Sequence, residues 1–108
     1  MKQLLTILLL AITCSLQAQR WGDQGDGTFR NPILPTDLSD PDVIRVGEKY
    51  YMVASDFHFV GMQILESDDL VNWQVVTQLY HRFDYPGWDT MEHYAGGSWA
   101  PSIRWHGG

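Results

Sequence analysis

The chain has 108 residues, a formal net charge of −6 and a single cysteine, Cys14. An acidic chain without a basic patch is a poor ligand for nucleic acid or anionic lipid, and one cysteine excludes a disulfide framework and a cysteine-built metal centre. Neutral or cationic partners are favoured.

Residues 1–18 carry Lys2, an apolar stretch over 4–12, and small and polar residues around Ala18. That is the layout of a secretory signal peptide, too short and poorly flanked to span a membrane as a stable helix. Cleavage after Ala18 removes Lys2 and no acid, leaving 90 residues with net charge −7 and no cysteine. The product is expected in the periplasm or outside the cell, held together by its core alone. Lipidation at Cys14 is the alternative, against which Thr13 is a poor preceding residue.

The first structural signal is the turn-forming run Asp37, Ser39, Asp40, Pro41 and Asp42. Pro41 disfavours helical geometry at Asp40, which is expected to be extended and to enter a strand. Val43, Ile44 and Val46 continue it, Gly47 and Glu48 make a tight turn, and residues 49–55 form the returning strand. A carboxylate at the mouth of a rigid hairpin suits a reactive group. Turn chemistry offers a plainer reading, in which Asp40 and Asp42 only cap their own backbone.

Residues 62–66 read as a third strand. Ser67 is then expected to cap a single helical turn through Asp68, Asp69 and Leu70, with both acids at its positive end. Residues 73–79, WQVVTQL, form a fourth strand, giving an up-and-down four-stranded sheet. An echo follows: Pro41 with Ile44, Arg45, Val46 and Gly47 resembles Pro101 with Ile103, Arg104, Trp105, His106 and Gly107, the two isoleucines lying 59 residues apart. A period of that size with four strands per unit is that of a β-propeller blade, the second copy opening on a new strand.

Between the units, residues 80–98 hold Tyr80, His81, Phe83, Tyr85, Trp88 and Tyr94 among several acids. A loop this long and aromatic reads either as a sugar-binding loop, ring faces stacking on pyranose faces, or as a lid over the sheet edge. The histidines His58, His81, His93 and His106 have no ligand spacing on a helix or hairpin, so no metal site is expected.

The run over residues 31–55, NPILPTDLSDPDVIRVGEKYYMVAS, the later SDDLVNW over 67–73, and Gly97-Ser98-Trp99-Ala100-Pro101 together resemble the N-terminal part of glycoside hydrolase family 43, the β-xylosidases, α-L-arabinofuranosidases and arabinanases. The resemblance implies an all-β, five-bladed β-propeller whose central funnel hydrolyses terminal xylosyl or arabinosyl linkages with inversion. It implies that Asp40 is the general base and that Phe57 and Trp99 line the sugar subsite. Some members carry an Asp directly after Trp-Ala-Pro; here Ser102 stands there and takes no role. The general acid and the Asp that tunes it match nothing in the chain. Glu48, Glu66 and Glu92 lack the setting an acid needs.

Five units of about 60 residues require on the order of 300. Residues 19–108 are therefore expected to be the N-terminal part of a truncated catalytic domain, inactive alone. No cofactor is expected; similar enzymes often hold calcium or a water cluster on the propeller axis, which no residue here identifies. The partner that the resemblance implies is a neutral oligosaccharide from arabinoxylan or arabinan. The competing class is a non-catalytic sugar-binding module in which Asp40 accepts hydroxyl hydrogen bonds, and a small structural β-domain is the third option.

Overall fold

The computed structural model describes residues 21–58, 61–83, 86–87 and 96–107. It is all-β: strands β1 (Asp42–Val46), β2 (Lys49–Val53), β3 (Gln63–Ser67) and β4 (Trp73–Gln78) form one antiparallel sheet in the order β1-β2-β3-β4. Each strand pairs with the next in sequence, because every connection is short enough for a direct return.

The β1–β2 turn is two residues long, since Val46 pairs with Lys49. Gly47 has φ +62°, and among the two turn residues only it needs the left-handed region, the requirement of a type II′ turn. Across β3–β4 the register slips: Ile64 faces Thr77 while Leu65 faces Val75, leaving Val76 as the extra residue of a bulge. Period-two alternation then puts Val43, Met52, Leu65 and Val75 in one row on one face of the sheet.

Among the described residues the buried apolar side chains are Met52, Val53, Ala54, Met62, Ile64 and Leu65. They cluster where β2 ends and β3 begins. Asp42 pairs with Val53, so this packed end of the sheet is also the end at which the chain enters β1. Burying a Met, Ile or Leu side chain is worth roughly 1.5–3 kcal/mol each. The loop before β1 is thus anchored on the firmest part of the fold.

Three local expectations are corrected. Asp40 is left-handed, with φ +51°, rather than extended. The clash with Pro41 excludes the right-handed helical region and leaves two others open, and the hydrogen bonds described below select the less common one, which Asp tolerates. Residues 68–72 form bends, not a helical turn. Ser67 Oγ does accept from Asp69 N at 3.1 Å and Leu70 N at 2.9 Å, but Leu70 turns to φ +67° and stops helical propagation. Asp69 takes over, accepting from Val71 N at 2.9 Å and Asn72 N at 2.7 Å. These bonds hold its carboxyl well below the usual carboxylate range, the Asn72 amide first.

The third correction concerns residues 103–106, which carry no strand. A strand requires a hydrogen-bonded neighbour, and no described residue pairs with this run. The echo is nonetheless structural: the residue before each proline, Asp40 at +51° and Ala100 at +44°, has the same unusual φ. Most of the aromatic segment over 80–98 lies outside the described residues.

Candidate active site

Ser55 follows β2 by two residues, and its backbone N–H donates to the Ser39 carbonyl at 2.9 Å, pinning the loop that carries Asp40. Its side chain makes two further contacts. The Ala100 N–H lies 2.9 Å from Ser55 Oγ, and Ser55 Oγ lies 2.8 Å from Asp40 Oδ2. A backbone amide can only donate, so the hydroxyl accepts from Ala100 and its single proton goes to the carboxylate. Asp40 remains exposed to solvent.

Asp56 holds the next link. It is 7 % exposed, and its Oδ2 accepts from Gly61 N at 2.9 Å, Met62 N at 3.2 Å and Tyr80 Oη at 2.8 Å. A buried carboxylate tolerates removal from water only with such donors. Tyr80 Oη also lies 3.0 Å from Ser98 Oγ. Since the phenol proton is committed to the carboxylate, the serine donates to the phenol. The backbones of Asp56 and Ser98 form an antiparallel bridge, with N–H to carbonyl distances of 2.8 and 3.0 Å. Gly97 makes that approach feasible: a Cβ there would sit 1.7 Å from the Asp56 carbonyl oxygen.

The bridge brings Phe57 against Trp99. Their rings meet edge to face, centroids 5.5 Å apart and planes at 88°, a favoured aromatic geometry. Trp99 is 66 % exposed, so the indole stays open to a ligand. Asp40, Phe57 and Trp99, distant in sequence, are therefore tied into one junction by Ser55 and Asp56. Sequence reasoning gave Ser55 and Asp56 no role. The signal it had was their adjacency to Phe57 directly after a strand.

Asp42 joins the same two segments on the other side of Pro41. Its Oδ2 accepts from Ile103 N at 3.0 Å and Ser102 Oγ at 3.2 Å and pairs with the Arg104 guanidinium at 2.6 Å. The Ile103 amide first, and Arg104 next, hold its carboxyl below the ordinary value of 3.8. The capping reading fails here: neither Asp40 nor Asp42 serves its own turn.

None of the described glutamates suits a general acid. Glu66 is held below its ordinary value by Lys49 Nζ at 2.8 Å and then by Tyr51, the reverse of what an acid requires. Glu48 lies beyond the far end of β1, on the order of 15 Å from Asp40 by strand rise. A cavity of about 430 Å³ under residues 34–38 touches Ser55, Asp56 and Phe57, yet neither Asp40 nor Trp99 lines it. Among the described residues no three His, Cys, Asp or Glu side chains form a group that could hold a metal. Nor is any described helix long and apolar enough to cross a membrane.

An exposed carboxylate and an open indole face are thus linked through Ser55 and the Ala100 amide at one end of the sheet. The chain belongs to glycosyl hydrolases family 43, whose model matches residues 29–108. It is 69% identical over 88 residues to the "Putative beta-xylosidase" of Xylanibacter ruminicola, covering 82% of this chain and 16% of that protein. With the "Beta-xylosidase" of Formosa agariphila it shares 45% over 96 residues, 85% of this chain and 16% of the relative. A non-reducing-end α-L-arabinofuranosidase of Bacteroides ovatus is 37% identical over 82 residues, 75% of this chain and 16% of the relative. The chain thus spans about a sixth of the length of these relatives. No solved structure matches it.

Proposed function

We propose that these residues are the N-terminal part of an exported enzyme that hydrolyses terminal xylosyl or arabinosyl linkages in plant cell-wall oligosaccharides. The secretory leader is residues 1–18. Residues 19–108 supply the first blade of a five-bladed propeller and the opening of the second. The observation that carries the reading is the link from Asp40 through Ser55 to the segment bearing Trp99, in a chain whose relatives bear xylosidase and arabinofuranosidase names.

In this reading Asp40 takes a proton from water as the water oxygen bonds to the anomeric carbon. The bond from that carbon to the leaving oxygen breaks, and the oxygen is protonated by a carboxylic acid supplied from elsewhere in the enzyme. Inversion requires the two carboxyl groups roughly 6.5–9.5 Å apart, so that water fits between base and sugar. Trp99 and Phe57 provide the apolar wall for the ring. The substrate is neutral, in keeping with an acidic chain, and no step calls for a cofactor.

The test is Asp40→Asn in the full-length protein, with 4-nitrophenyl xyloside and arabinofuranoside as substrates. Turnover falls by roughly 10²- to 10⁴-fold while oligosaccharide binding persists. Unchanged turnover rejects the base. Binding without turnover in the unmodified protein supports the sugar-binding module instead.

A further inference from the structure

We infer that Ser55 is a positioning residue for Asp40, setting which carboxylate oxygen faces the attacking water and how far it stands from the aromatic wall. The inference rests on the reading of Asp40 as the base, and it is carried by the bonding direction. With the Ala100 amide donating to Ser55 Oγ, the hydroxyl proton is directed to Asp40 Oδ2. Among the described residues Ser55 is the one hydrogen-bond partner of the Asp40 side chain, so Oδ1 is the oxygen left to receive a proton.

Loop closure alone does not explain this serine. The backbone bond from Ser55 N to the Ser39 carbonyl already fixes the loop, and the hydroxyl is additional. Both groups it joins are residues with positive φ ahead of a proline, Asp40 at +51° and Ala100 at +44°. Such backbone persists only where surrounding contacts over-determine it, and it clusters at sites that need pre-organisation. One hydroxyl therefore couples the base of the first unit to the residue next to Trp99 in the second. Without it the carboxylate would rotate and share its oxygens with solvent.

The full-length enzyme carrying Ser55→Thr, Ser55→Val and Asp40→Asn tests this with the two nitrophenyl glycosides. Thr and Val have the same shape and differ in the hydroxyl alone. Misplacement of a reacting group by an ångström can cost about 100-fold, so S55V should lose between about 10- and 100-fold in kcat with KM little changed, while S55T keeps kcat within a few-fold. Equal kcat for S55V and S55T, with D40N inactive, overturns the positioning role and leaves the base intact. Activity retained in D40N removes the base reading and this inference with it. Should the valine variant fail to fold, Ser55→Ala removes the same hydroxyl without added bulk and is held to the same criteria.

Discussion

Gly97 sets the tolerance of the junction at the scale of single atoms. Its φ of +40° and the 1.7 Å approach of the Asp56 carbonyl to a would-be Cβ mean that no side chain fits without parting residues 56 and 98. Gly47 is the control, with φ +62° and open space around it. Gly47→Ala should cost roughly 1–2 kcal/mol, the ordinary penalty of left-handed backbone. Gly97→Ala should cost more than about 3 kcal/mol, because strain and a lost backbone bridge add to that penalty. Denaturant melts of the full-length protein compare the two. A smaller loss at Gly97 than at Gly47 would show that the bridge is not tight. Activity should follow the same order, since Trp99 is delivered by the segment Gly97 admits.

At the scale of elements, Asp42 joins β1 to residues 102–104 across a separation of about 60 residues. Its folded carboxyl is depressed below the ordinary 3.8, by the Ile103 amide first. A depressed acid contributes stability that is fully present above the unfolded value and is lost as pH falls through the folded value. Asp42→Asn should therefore melt below the parent at pH 7, and the gap should close on acidification below about pH 4. Thermal melts at several pH values read it; a gap constant to pH 2 would contradict the assignment.

The four strands were legible because β1, β2 and β4 are short β-branched or aromatic runs and β3 is a short apolar-centred run before a turn, and the extents moved by two residues at most. The four-strand order followed from the short connections. Asp40 stood out locally as a carboxylate at the mouth of a hairpin, but its role as base, and Phe57 and Trp99 altogether, came only through the family motifs, for no local pattern brings residue 40 to residue 99. Ser55 and Asp56 were not singled out for the same reason: the segment they join to, at Ser98 and Ala100, lies more than 40 positions away. The helical turn after Ser67 failed because Asp69 outcompetes the backbone for its own amides, a preference Asp and Asn show in turns. The strand over 103–106 failed because periodicity describes a side-chain pattern, whereas a strand also needs a neighbour.

Taken whole, the described sheet has two edge strands, β1 and β4, and large apolar groups stand exposed on its surface. Val75, Val76 and Leu79 are 52 %, 45 % and 59 % exposed along and just beyond the β4 edge, and Trp105 is 61 % exposed. Unpaired edges with apolar side chains invite pairing between molecules, and a single small sheet is marginal in water. The formal net charge of −6 opposes association, yet it does not supply the missing hydrogen bonds of an edge. Residues 19–108 expressed alone should therefore run larger than a monomer by light scattering and melt over a broad range. They should also release no nitrophenol above buffer from either glycoside, because inversion needs a protonated partner and the described glutamates are either ion-paired or too far from Asp40. The two results are separable. A monomer with a sharp cooperative melt but no turnover would mean that the sheet is self-sufficient and that only the acid is lacking, whereas turnover by this piece would mean that the second carboxyl lies within residues 19–108.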